Sequence, residues 1–152
     1  MNTGDQDDWL TAHFGVIYPE HVSAFARLLI VLRDAFGGDL DQLLILTVIG
    51  DRHHQLRQDL ASLRYATFAE TPWRDSESAT INIHSVATFT GIPRETVRRK
   101  VGALIGRGWV ERDPGGDLHP TAQAALDLRP CTEAALDYLR TVVTTCDRVR
   151  GA

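Results

Sequence analysis

The sequence predicts a mainly α-helical fold with one small β-hairpin, and three observations carry that expectation. Apolar residues recur at steps of three and four near both ends of the chain. Between them, short helical stretches are broken by glycine and proline at turn positions. Further on, two short alternating stretches flank the turn Asp113-Pro114-Gly115-Gly116-Asp117. The 152 residues, 43% of them hydrophobic, suit one globular domain with enough core to fold without a disulfide or metal.

Taken in order, residues 1–18 mix acids with Trp9, Phe14 and Tyr18 without a clear period. An arm that packs through its aromatics is expected, partly disordered at its start. A helix is expected from Pro19, where Val22, Phe25, Leu29, Leu32 and Phe36 step by 3, 4, 3 and 4 as in a coiled-coil seam. Leu28, Ile30 and Val31 add more apolar surface than one core contact needs, and Gly37-Gly38 ends the helix. Asp39 suits the N-cap of a second helix over residues 40–58, with Leu40, Leu43, Leu44, Thr47 and Val48 as its inner stripe. Residues 60–68 suit a short helix, 69–79 a loop and 80–83 a short strand.

From Ser85 the signals sharpen. Ser85 can cap a short helix, Val86–Thr90, that stops at Gly91, and Pro93 opens a longer one ending near Gly106 or Gly108. Trp109–Arg112 and Leu118–Pro120 read as the two sides of a hairpin with a short, basic tip. Thr121 can cap residues 122–128. After Arg129-Pro130 comes a final helix whose Ala135, Leu139, Val142, Cys146 and Val149 form a second seam. The expected organisation is therefore an arm and support helices over 1–58, a central region over 59–120 and C-terminal helices over 121–152.

Charge is distributed unevenly. The net value of −4 argues against a polyanionic partner. Residues 1–83, however, carry 6 basic and 12 acidic groups, and residues 113–152 carry 4 and 6. Residues 84–112 carry Arg94, Arg98, Arg99, Lys100, Arg107 and Arg112 against Glu95 and Glu111. One basic island in an acidic chain is what a single contact surface for an anion looks like, and a solvated helix face looks the same by charge alone.

The island coincides with a helix, a three-residue turn containing glycine, and a second helix, the geometry that places a helix in the major groove of DNA. Ala87 is small where the helices cross, and Gly91 supplies the positive φ of the turn. Ile92, Val97, Val101, Leu104 and Ile105 are expected inward. Glu95, Thr96, Arg99, Gly102, Ala103 and Gly106 form the opposite side, flanked by Arg94, Arg98 and Lys100. An arginine among very small residues lets a helix approach a groove floor. Arg99, Glu95 and Thr96 therefore suit base edges, and Arg94, Arg98 and Lys100 suit phosphates. Ser85 and Arg107 lie at the margins of the same surface, and Arg112 and His119 on the hairpin could follow the DNA backbone or minor groove.

Residues 84–121, HSVATFTGIPRETVRRKVGALIGRGWVERDPGGDLHPT, resemble a bacterial winged helix-turn-helix, with a T-V-x-R-x-V-x-x-L-x-x-x-G-W-V rhythm at 96–110. The order of helices around them resembles the MarR family of dimeric transcription regulators. Lys100 departs from the pattern, standing where such heads place an apolar residue, and the 69–79 loop is longer than typical. The resemblance implies a homodimer, most simply a repressor, that binds double-stranded operator DNA and answers to a small-molecule effector, and the two cysteines and the absence of a signal pattern lead to the expectation of a cytoplasmic protein. Its recognition helix, about 93–106, would enter the major groove, and its wing, 109–120, would lie on the backbone or minor groove. Half-sites would lie about one helical turn apart. Val22, Phe25, Leu29 and Leu32 of the first seam and Leu139, Val142, Cys146 and Val149 of the second would build the dimer. The seams themselves also ask for a partner surface, unless they pack on each other within one chain.

Other functions find less support. No glycine-rich phosphate loop, H-E-x-x-H or G-x-S-x-G is present, so no enzyme is expected. Asp51, His53 and His54 read equally well as a polar helix end. No His or Cys has a partner at metal-ligand spacing, so neither metal nor cofactor is expected. Cys131, near the start of the last helix, could have a lowered pKa and act in a thiol-based redox-sensing regulator. A winged-helix protein–protein docking module is the other alternative. Trp9, Phe14, Tyr18 and Trp73 are candidates for lining an effector pocket, by family analogy. The acidic start has no signal-peptide pattern, and the apolar runs Leu28–Leu32 and Leu43–Leu46 are short for a membrane span.

Overall fold

The computed structural model describes residues 3–55, 65 and 81–151. Of the described residues 77% are helical, and among them lies one small two-stranded antiparallel sheet. Among the described residues the order is α1 (Thr3–Ala12), α2 (Phe14–Ala35), α3 (Leu40–Gln55), α4 (Ile83–Thr90), α5 (Arg94–Gly106), β1 (Val110–Arg112), β2 (Leu118–Pro120), α6 (Ala122–Asp127) and α7 (Arg129–Arg150). The helix expected over 60–68, the loop over 69–79 and the side chains of His53 and His54 lie outside the described residues, Tyr65 excepted.

The chain forms two compact units, Met1–Ala35 with Pro130–Ala152, and Phe36–Arg129. These boundaries differ from those expected at 58/59 and 120/121. α3 falls in the second unit because it packs on α4, α5 and β2, and α6 because Thr121 N donates to the Trp109 carbonyl and Trp109 Nε1 to Asp127.

In the first unit, residues 3–12 and 14–18 of the stretch expected to be an arm are helical. α1 ends at Ala12, and α2 begins at Phe14, five residues before Pro19, which lies inside it. Proline cannot donate to the carbonyl four residues back. That carbonyl belongs to Gly15, which is exposed to solvent, so the missing bond is tolerated. A ladder of rings runs along α2. Phe14 stacks on Tyr18 at 4.5 Å and His21 on Phe25 at 5.7 Å, and His21 Nδ1 lies 2.9 Å from the Tyr138 hydroxyl of α7. Arg150 places its guanidinium 4.7 Å from the Trp9 ring.

Ala24, Leu28, Cys131 and Thr145 are buried, whereas Val22, Phe25 and Leu29 of the first seam and Leu139 of the second remain 38–54% exposed. Leu32, Val142, Cys146 and Val149 are half-buried. Phe36 leaves the first seam and is buried in the other unit. As a continuous helix α2 is also long and apolar enough to cross a membrane by length and composition, an 18-residue stretch of it having a mean hydropathy of 1.3, which the short apolar runs did not suggest. Glu20 and Arg27 lie within that stretch, and a charge at mid-bilayer costs about 2.5–3.5 kcal/mol.

In the second unit, Ile45 and Ile49 of α3, Val86 of α4, Val97, Val101 and Leu104 of α5, and Val110 and Leu118 of the hairpin are almost fully buried. Each such side chain contributes about 1.5–3 kcal/mol. The buried side of α3 is Gln42, Ile45, Leu46, Val48 and Ile49, and only Val48 belongs to the expected stripe. Leu40 and Leu44 are exposed instead. The run Leu43–Ile49 is apolar nearly all round, so its period does not select a face, and the packing of α4 and α5 does. Asp39 caps α3 as expected, accepting from Gln42 N at 2.9 Å.

Residues 81–82 do not form a strand. Asn82 is the N-cap of α4, accepting from Ser85 N at 3.0 Å, so the capping role expected of Ser85 falls three residues earlier. The Ile81 carbonyl still accepts from Leu118 N at 2.8 Å, which ties the segment to the hairpin. Thr121 caps α6 as expected.

Candidate nucleic-acid interface

α4 ends where the chain turns through Gly91, whose φ of 72° is left-handed and whose N–H donates to the Ala87 carbonyl. Two residues on, Pro93 opens α5. Val97, Val101 and Leu104 are buried as expected, while Ile105 is 40% exposed and does not belong to the inward set. The opposite side is open. Arg94, Glu95, Arg98, Arg99, Gly102, Ala103 and Gly106 are exposed, and a Cβ added to Gly102 or Gly106 would meet nothing within 4 Å.

Glu95, Thr96, Arg98, Arg99 and Gly102 line a shallow concavity of about 420 Å³ on this face. Arg98 Nε donates to Glu95 Oε2 at 2.9 Å, so Glu95 braces Arg98. Among the described residues, Arg94 and Arg99 have no hydrogen-bond or ion-pair partner.

The structure thus brings Arg94, Glu95, Thr96, Arg98 and Arg99 together on one helix face. It places the other expected contacts differently. Lys100 is buried, with Nζ 2.5 and 2.6 Å from the two oxygens of Asp39, and so cannot serve as a phosphate contact. Its long stem covers apolar surface while the ammonium reaches the carboxylate. Arg107 is exposed, but its guanidinium stacks 3.9 Å from the Trp109 ring and donates to Gln42 Oε1 at 3.3 Å. Ser85 sits in the first turn of α4, its hydroxyl 3.3 Å from Asn82 Oδ1.

The hairpin pairs Val110 with Pro120, Glu111 with His119 and Arg112 with Leu118. Its tip is not basic. Arg112 Nε donates back to the Gly116 carbonyl at 3.2 Å, and His119 Nε2 lies 3.1 Å from Asp113 Oδ2. The Asp117 backbone N–H, with His119 beside it, holds the Asp113 carboxyl below the usual range. Glu111, Asp113 and Asp117 outnumber the cations there. The acidic residues of the turn were visible in the sequence, and a count over 111–119 would have shown the sign.

The expectation of a lowered Cys131 pKa is overturned. The thiol is buried, and burial pushes its pKa up. Of the aromatics considered for an effector pocket, Trp9, Phe14 and Tyr18 stand on α1 and α2, and Trp73 lies outside the described residues. Among the described residues no three His, Cys, Asp or Glu side chains gather as a metal site.

Burial pushes the Asp39 carboxyl upward, but the bonds from Lys100 and from Gln42 N outweigh it and leave its pKa lowered. A lowered folded-state pKa means stability that is complete above the unfolded aspartate value of about 3.9 and is lost as pH falls through the folded value. The stability gap between the wild type and Asp39→Asn, which keeps an acceptor for the cap, should therefore narrow as pH drops from about 6 to about 3. Urea unfolding at each pH measures it. A gap that stays constant would show that the charge of Asp39 contributes nothing.

No protein-family model, curated protein or solved structure matches this chain.

Proposed function

We propose that the protein is a DNA-binding transcription regulator of winged helix-turn-helix type, MarR-like, acting in the cytoplasm as a homodimer and most simply as a repressor. The observation that carries this reading is the exposed face of α5. It holds Arg94, Arg98 and Arg99 among Thr96, Gly102, Ala103 and Gly106, on a helix that begins three residues after Gly91, whose turn sets it off from α4. Small residues allow close approach to a groove, and exposed arginines supply both phosphate and guanine contacts. The hairpin follows directly and would lie beside the groove as a wing. The exposed Val22, Phe25 and Leu29 on α2 and Leu139 on α7 supply apolar surface for a second copy. A buried, high-pKa Cys131 gives the redox-sensing alternative no support.

Fluorescence anisotropy on the DNA upstream of the gene, across a salt series and beside a scrambled duplex, tests the reading. Preferential binding that weakens steeply with salt is expected, and the slope counts the phosphates neutralised. Absence of binding to either duplex at low salt would overturn it and bring the docking-module reading forward. On the same fragments, Arg99→Ala should cost about 1–3 kcal/mol and relax discrimination. Arg98→Ala should weaken all sequences alike and lower the salt slope by about one. Full discrimination retained by Arg99→Ala would remove its assignment to a base edge.

A further inference from the structure

Lys100 is the only lysine in the sequence, and its side chain is just 10% exposed. Nζ meets both carboxylate oxygens of Asp39 and lies 3.9 Å from Asp41 Oδ2. Packing alone does not call for a lysine here, because exchanging a largely buried ion pair for apolar side chains is often neutral in stability. What the pair adds is direction, since an ammonium held by two oxygens permits few arrangements.

A second tie lies seven residues on, where Arg107 at the end of α5 donates to Gln42. Asp39 and Gln42 are the cap and first turn of α3, and Gln42 N is itself bonded to Asp39. The start of α3 therefore grips α5 at two places about 10 Å apart along its axis. One grip leaves a helix free to roll, and two fix its roll and tilt. A roll of about 20° would carry a side-chain tip, about 5–6 Å from the axis, sideways by about 2 Å. A hydrogen bond to a base edge does not survive that displacement.

We infer that the Lys100–Asp39 and Gln42–Arg107 ties set the orientation of α5 and thereby its base-sequence preference, making Lys100 a positioning residue for DNA readout. This rests on the DNA-binding reading above. Lys100 touches no DNA in this arrangement, and it aims the neighbouring Arg99.

The test has two arms. In the first, native protein is treated with an amine-acylating reagent and its peptides are read by mass spectrometry. The α-amino group should react while Lys100 stays protected, and Asp39→Asn should expose it. Acylation of Lys100 at the rate of a free lysine in the wild type would overturn the pairing. In the second, the wild type and Lys100→Met select from a pool of random duplexes, and affinities are then measured on the wild-type-selected and a scrambled duplex. Lys100→Met should keep the wild-type salt slope while its preference falls about tenfold or more, the loss of one base contact.

Undiminished preference would overturn the inference, as would a slope reduced by one with preference intact, since that marks a phosphate ligand. Asp39→Asn, which keeps a cap acceptor, carries the same test if Lys100→Met does not fold. A wild type that selects no duplex overturns the DNA reading and the inference with it, and protection from acylation would still separate that failure from a missing pair.

Discussion

Trp109→Ala should lower the stability of the unit formed by Phe36–Arg129 by about 3–5 kcal/mol, the largest single-residue loss expected in this protein. The indole is 5% exposed and meets Phe36 edge to face at 5.4 Å. Its other face carries the Arg107 guanidinium, and Nε1 donates to Asp127 Oδ2 at 2.8 Å. Its backbone N–H donates to Leu104 and its carbonyl accepts from Thr121, so one residue joins α5, the hairpin and the start of α6. Truncation leaves a cavity in the middle of that junction. Trp109→Phe keeps an aromatic face but loses part of the ring volume and one donor to an exposed carboxylate, at a smaller cost of about 1–3 kcal/mol. Urea unfolding followed by far-ultraviolet circular dichroism separates the two variants. A Trp109→Ala loss below about 1 kcal/mol would remove the indole from the core.

Leu29→Glu should convert the proposed dimer to a monomer. Leu29 is 38% exposed in the single chain, in line with Val22 and Phe25 on α2, and Leu139 on α7 is 54% exposed. Three large apolar side chains at seam spacing on α2, with Leu139 on α7, are more than scattered surface residues, and a second copy would cover them. A carboxylate buried there without a partner costs several kcal/mol, and every 1.4 kcal/mol is tenfold in dissociation constant. The dissociation constant should rise by about a hundredfold or more. Light scattering across a dilution series should show two chains per particle for the wild type and one for Leu29→Glu, with Leu139→Glu behaving alike. A wild type that stays monomeric at high concentration would end the dimer reading. A variant that stays dimeric would move the interface off this seam.

How much could be read in advance followed the reach of each signal. Asp39, Gly91, Pro93 and Thr121 act within three or four residues of themselves, through a cap, a left-handed φ or a ring-locked φ, and the elements they bound lie where the sequence places them. The hairpin belongs to the same group, because Asp113 to Asp117 closes its own turn with bonds that span four residues. The exposed arginine face of α5 was legible too, because buried Val97, Val101 and Leu104 share one side of the helix.

Misreadings arose where a local rule met a competing contact. Pro19 marks a helix start when read alone, yet α2 runs through it from Phe14. Ser85 and Asn82 are both good caps, and the chain takes the earlier one.

The boundaries at Asp39, Gly91, Pro93 and Thr121, the glycine turn, the hairpin and the outer face of α5 were thus determined by the sequence itself, since each depends on torsion preferences and hydrogen bonds among near neighbours. Tertiary structure alone decided which face of α3 is buried, the removal of Phe36 from its seam to meet Trp109, and the burial of Lys100 against Asp39, 61 residues away. In those cases the sequence offers several equivalent partners, and burial against distant elements selects one. Apolar contact has no direction along the chain, and a charge is drawn to whichever opposite charge the packing brings within reach.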